Sequence, residues 1–176
     1  MVNWTEIRKH NKKKREEFKE YIGEELEGYE VSKEEKEYYG RIREIVETTF
    51  NTVPAGSYEA EYRKTMSKEL SKRGMKVREE LTQVIEGERG YTKLVRLDIC
   101  DESISEEKVI FELKKRSVKS AVKQIVSYIR ELDCVIGFLV SYREKDYELY
   151  MFLKEEVIEG CEYISYDGEK VYKHKY

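Results

Sequence analysis

The stretch from Lys108 to Tyr142 constrains the fold more than any other part of the chain. Lys108 to Lys114 reads as a strand, and Ser117 to Leu132 carries Val118, Ala121, Val122, Ile125, Val126 and Ile129 at helical spacing. Cys134 to Tyr142 then follows as an apolar run of strand length. A strand, a helix and a buried strand in succession predict a crossover, with the helix laid against a sheet that is covered on that face.

The flanking segments extend this unit in both directions. Met75 to Ile85 and Tyr91 to Cys100 read as strands around a turn near Gly87 and Gly90, and an acidic loop leads to Lys108, which suggests a meander. Downstream, Tyr147 to Leu153 alternates as a further strand, and Cys161 to Tyr176 reads as a hairpin about Asp167 and Gly168 at the sheet edge. Upstream the pattern is helical from Thr5 to about Phe50, with Thr5 as N-cap and Phe18, Ile22 and Leu26 at helical spacing up to a break at Gly28. A second helix runs from Ser32 to Phe50 behind a capping box of Ser32 and Glu35, with Tyr39, Ile42, Ile45, Val46 and Phe50 on one face. Asn51 to Gly56, with the sole proline Pro54, makes a turn, and Ser57 to Arg73 a third helix that stops at Gly74.

With 176 residues, 39 % of them hydrophobic, the chain can fill one sizeable core but hardly two. The expectation is one α/β domain over 1–176: a helical extension over 1–50, a core over 51–153 and C-terminal strands over 154–176. Charged residues make up 40 % but nearly cancel, leaving a net charge of −3, so a basic surface can only be local. Basic residues cluster at Arg8, Lys9, Lys12, Lys13, Lys14 and Arg15, and again at Lys114, Lys115, Arg116, Lys119 and Lys123. Three cysteines, Cys100, Cys134 and Cys161, without CxxC spacing argue against a disulfide framework or a zinc site and read as buried thiols of a cytoplasmic protein. No apolar run approaches the ~20 residues needed to span a bilayer, so no membrane partner is expected. His10 and His174 lie in charged contexts and read as surface residues.

Chemistry enters through three residues. Asp98 lies near the end of its strand, and Glu112 and Lys114, two apart on the next, share a sheet face. If these strands pair, both carboxylates can approach one hard cation, magnesium or manganese, with Lys114 beside it to orient a water and offset phosphate charge. The same pattern also describes a salt-bridged pair on an exposed strand, which a chain rich in Lys and Glu produces by chance. Gln124 and Tyr128, at i and i+4 on the following helix, form a QxxxY pattern able to contact a phosphate or a base, or simply to pack. Arg96, two before Asp98, can pair with a carboxylate or touch phosphate.

Gly56, Glu59 and Tyr62 fit GxxExxY, and from about Tyr38 to Tyr142 the chain resembles the GxxExxY family of the PD-(D/E)XK nuclease superfamily. The likeness is carried by "ELSKRGMKV" from Glu69, "RLDI" from Arg96, "VIFELK" from Val109, "QIVSYI" from Gln124 and "CVIGFLVSY" from Cys134. The resemblance implies a restriction-endonuclease-like mixed sheet flanked by helices, with Asp98, Glu112 and Lys114 as the catalytic triplet. It also implies a metal site of Glu59, Asp98 and Glu112, with Glu59 acting directly or through water, and a RecB-type role for Gln124 and Tyr128. Arg96, Lys115, Arg116, Lys119, Lys123, Gln124 and Tyr128 become candidate DNA contacts. Lys115 and Arg116 stand where the family has small or apolar residues, and Ala121 where many relatives have a His-containing turn. The expected activity is metal-dependent hydrolysis of DNA, as an endonuclease or an exonuclease. A nucleic-acid-binding or regulatory protein that keeps the fold without turnover is the competing reading. The oligomeric state stays open, a homodimer included.

Overall fold

The computed structural model describes Glu6 and residues 22–86, 88–90, 92–104, 107–115, 119–132, 134–143 and 146–175. Among them, eight strands form one sheet in the order β1-β8-β7-β6-β5-β4-β3-β2. The strands are β1 (Glu24–Glu25), β2 (Val77–Glu86), β3 (Thr92–Ile104), β4 (Glu107–Lys115), β5 (Cys134–Arg143), β6 (Asp146–Lys154), β7 (Tyr163–Tyr166) and β8 (Val171–His174). Helices α1 (Lys33–Thr52) and α2 (Glu59–Lys72) precede β2, and α3 (Lys119–Glu131) joins β4 to β5. The sheet is mixed because β4 and β5 run parallel while every other described pair is antiparallel. A mixed sheet flanked by helices is the restriction-endonuclease-like α/β fold expected. No described helix is long and apolar enough to cross a membrane.

Each face of the sheet carries its own core. On one, Tyr39, Ile42, Ile45 and Val46 of α1 and Tyr62, Met66 and Leu70 of α2 pack against Phe111, Leu113, Phe138 and Val140. On the other, Ala121, Val122, Ile125, Val126 and Ile129 of α3 cover Ile110, Leu139, Tyr150 and Phe152. These helical positions recur every three to four residues, which is why each helix buries a single stripe. The Ser32–Glu35 capping box starts α1, with both reciprocal bonds formed. Gly56 (φ 82°) and Gly74 (φ 86°) occupy the left-handed conformations that end the α1–α2 turn and α2. Gly137 lets α3 come close, since a Cβ there would lie 2.7 Å from Ile125 Cγ2.

Three features depart from the sequence reading. Ile22 and Leu26 are not helical: β1 lies between them, Leu26 N–H donates to Val171 O at 2.8 Å, and the turn needs Gly23 and Gly28 at φ 149° and 75°. The rest of that first helix, with Thr5, His10 and Phe18, lies outside the described residues. The acidic segment after Cys100 continues β3 to Ile104 instead of looping, and Glu102 N–H donates to Lys76 O at 2.9 Å. His174 is buried, not on the surface, with 4 % of it exposed. Its ring packs 5.3 Å from that of Phe152, and its Nε2 lies 2.8 Å from Ser165 Oγ.

Burial holds His174 down at about 4, from an ordinary 6.5. The unfolded chain therefore binds more protons between those values, so stability present above pH 6.5 is lost as pH falls toward 4. The expected loss is about 3 kcal/mol, from ~1.4 kcal/mol per unit. Urea melts of the wild type and His174→Gln at pH 7, 5.5 and 4 check this. Equal slopes in the two proteins would show that His174 is not responsible.

Candidate active site

The acid pair sits where two strands part company. The β3–β4 ladder pairs Ile99 with Phe111 and Cys100 with Ile110, but Asp98 and Glu112, next in register, are not joined through their backbones. Their side chains cross instead: Leu113 N–H donates to Asp98 Oδ2 at 2.9 Å and Asp98 N–H donates to Glu112 Oε1 at 3.4 Å. Two backbone donors left over by the parting strands thus orient two carboxylates, which satisfies N–H groups that would otherwise be unpaired.

A change of strand face creates this geometry. Val77 on β2 and Ile99 on β3 pack with the first core, whereas Leu81 and Leu97 pack with the second. The inward face therefore resets at Glu80 and Asp98, and Glu80 has a φ of 51°, a costly conformation for a residue with a side chain. Beyond the reset, β2 and β3 continue as a two-stranded ribbon, and Lys108 Nζ at the start of β4 donates to Gln83 Oε1 at 3.3 Å. Asp98 stands at the corner where the ribbon leaves the sheet.

Glu112 is 1 % exposed and is held well above the usual carboxylate range, first by burial and then by the neighbouring Asp98 charge, with Lys114 opposing. Glu59, the first residue of α2, lies within electrostatic reach of Asp98, Lys114 and Arg63, and burial is the main cause that raises it. The structure thus brings Glu59, Asp98, Glu112 and Lys114 into one neighbourhood. They do not close into a ready-made cage: among the described residues, no three His, Cys, Asp or Glu side chains are placed to hold an ion.

The other expected residues separate into groups. Gln124 Nε2 donates to Tyr128 OH at 2.6 Å, and Tyr128 is raised by burial, with the Glu112 and Asp98 charges adding to it. The QxxxY pair therefore borders the acids, although Tyr128 is also 4 % exposed and part of the second core. Arg96 is engaged elsewhere: it pairs with Glu80, which also binds Arg63 Nη2 at 2.9 Å. The ion pair follows from the register, since Arg96 faces Thr82 on β2 and Glu80 lies two residues away. Lys115 and Lys123 are exposed. Arg116 lies outside the described residues, as does the side chain of Lys119.

Two residues of the neighbourhood were not singled out from the sequence. Arg63, directly after the GxxExxY tyrosine, ties α2 to β2 through Glu80 and, at 3.6 Å, through Glu79. Tyr142, at the end of the apolar β5 run, pairs with Lys115 across β4 and β5, and its hydroxyl lies within the field of Glu59 and Asp98. Finding it needs the parallel β4–β5 register, which no local spacing reveals.

Comparison with known proteins adds a family. The model of the PD-(D/E)XK nuclease superfamily matches residues 36–151, a span that includes every described side chain of the acid neighbourhood. No curated protein matches the chain. Among solved structures, one titled "Crystal structure of SSO0001" is similar at 16 % identity, covering 80 % of this chain and 73 % of that one with a TM-score of 0.39.

Proposed function

The chain belongs to the PD-(D/E)XK nuclease superfamily, and on that premise we propose that it hydrolyses DNA phosphodiester bonds with a magnesium or manganese ion held by Asp98 and Glu112. The observation that carries this reading is the crossed carboxylate pair at the parting of β3 and β4. Its donor set fits a small hard cation, which takes one or two carboxylates and otherwise keeps its waters. Burial and the Asp98 charge favour a proton on Glu112, and a divalent ion between the two acids would remove the repulsion that puts it there. Bound there, the ion would polarise a phosphoryl oxygen and lower the pKa of a coordinated water.

The chain's own residues supply the rest. The Leu113 and Asp98 N–H groups hold the two carboxylates in fixed directions, so little reorganisation is needed when charge arrives. Lys114, two residues beyond Glu112 on the same face, orients the attacking water and offsets charge on the pentacoordinate phosphate. Glu59 takes part through water from the start of α2. Gln124 and Tyr128 offer an amide and a phenol to a phosphate or base, in keeping with a RecB-type motif in the GxxExxY branch of the superfamily. Lys115, Arg116, Lys119 and Lys123 neutralise phosphates around the site, and Arg96 joins them when it exchanges Glu80 for a phosphate oxygen.

The test is cleavage of labelled duplex, single-stranded and branched DNA by the pure protein with magnesium, manganese or chelator. Cutting is expected with either ion and not with chelator, and Asp98→Asn is expected to lose ion binding and cutting together. Cleavage that persists in chelator would overturn the metal role. DNA binding without cleavage of any form would favour the silent-fold reading.

A further inference from the structure

Four buried side-chain atoms have no hydrogen-bond partner among the described residues: Arg63 Nε, Ser67 Oγ, Ser141 Oγ and Tyr142 OH. Buried polar groups are nearly always satisfied, so an orphan in a well-packed structure calls for a reason. Tyr142 is the most demanding of them. Its ring is fixed by Tyr62, with centroids 4.6 Å apart, and by Phe50 at 5.7 Å, and only 2 % of the residue is exposed. The hydroxyl therefore cannot swing out to solvent. It feels the charges of both Glu59 and Asp98 but bonds to neither.

Tyr62, against which this ring packs, lies one turn beyond Glu59 on α2, and a buried phenol without a protein partner is the kind of group that a bound water satisfies. We propose that Tyr142 is a positioning residue of the ion site, whose hydroxyl donates to a water shared with Glu59 and so links the α2 acid to the hydration shell of an ion on Asp98 and Glu112. The inference rests on the metal-dependent reading above. It also gives Glu59 a water-mediated role. Burial raises the phenol to about 12, so the hydroxyl stays a donor throughout the working range.

The experiment is a double-mutant cycle of Tyr142→Phe and Glu59→Gln, read by manganese affinity in calorimetry or electron paramagnetic resonance and by metal-free melting. Because the hydroxyl donates to a water and not to the protein, its removal should leave the metal-free Tm within about 2 °C of the wild type. Manganese affinity should nevertheless fall about 10-fold, as for other partners that orient a metal's ligands. In the Glu59→Gln background the further loss from Tyr142→Phe should shrink to about 2-fold or less. Unchanged affinity in Tyr142→Phe, or an equal loss in both backgrounds, overturns the proposal. Asp98→Asn separates the two failures: if it binds manganese like the wild type, the ion-site reading itself fails, whereas loss in Asp98→Asn with no effect of Tyr142→Phe removes Tyr142 alone.

Discussion

Replacing Lys114 by alanine is expected to slow DNA cleavage by about 10²-fold or more while divalent-ion and DNA binding persist. The two carboxylates are oriented by backbone N–H groups and not by the lysine, so the ion's ligands should keep their places without it. On the proposed mechanism Lys114 acts where charge develops, so the loss should fall on kcat. Titrating manganese into Lys114→Ala and following oligonucleotide cleavage under single-turnover conditions separates the two effects. Equal cleavage by mutant and wild type would refute the assignment, and lost ion binding would make Lys114 a structural counter-charge instead.

Glu112→Gln is expected to reverse its effect on stability when the ion is added. Because folding raises this carboxyl, the folded chain binds more protons than the unfolded one above about pH 4.5, and stability falls as pH rises through that window. A glutamine of the same shape has no charge to bury and can still accept from the Asp98 N–H. Without ion at pH 8, the mutant should therefore melt several degrees higher, and the gap should close below about pH 4.5. With saturating magnesium the wild type gains about 2.7 kcal/mol at 100 times its Kd, whereas the mutant gains little. Melts at pH 4, 6 and 8, with and without magnesium, show whether the order of the two proteins inverts. A mutant less stable than the wild type at pH 8 without ion, and equally stabilised by magnesium, would remove Glu112 from the site.

The parts of this arrangement that could be read from the chain are those with a short period. The apolar spacing of α3 and the run of β5 fix the crossover, and the two-residue step from Glu112 to Lys114 puts both on one face. Ser32 and Glu35 likewise announce the start of α1. The remainder depends on non-local geometry. Glu80 at positive φ resets the facing of β2 and β3, and nothing in the glutamate itself signals it. Arg96 reads as able to pair with a carboxylate or touch phosphate, but which carboxylate it meets is not legible, because Glu80 is distant in sequence yet near in register. His174 lies between two lysines, as a surface residue would, but packs against Phe152 and Ser165 and is covered by Gly23, which approaches β8 so closely that a Cβ would lie 2.7 Å from Lys173 O and 2.9 Å from His174 Cε1.

That approach by Gly23 also bears on the order of assembly. The two-residue pairing of Glu24 and Glu25 with Lys173 and Tyr172 joins segments separated by most of the chain, and the entropy of closing so large a loop is met by very few bonds. The β4–α3–β5 unit, in the interior of the sheet, closes over a much shorter stretch and buries far more apolar surface. The β1 edge should thus be the last part to dock and the first to open, leaving β8 to alternate between a covered and an uncovered edge on a timescale shorter than that of global unfolding.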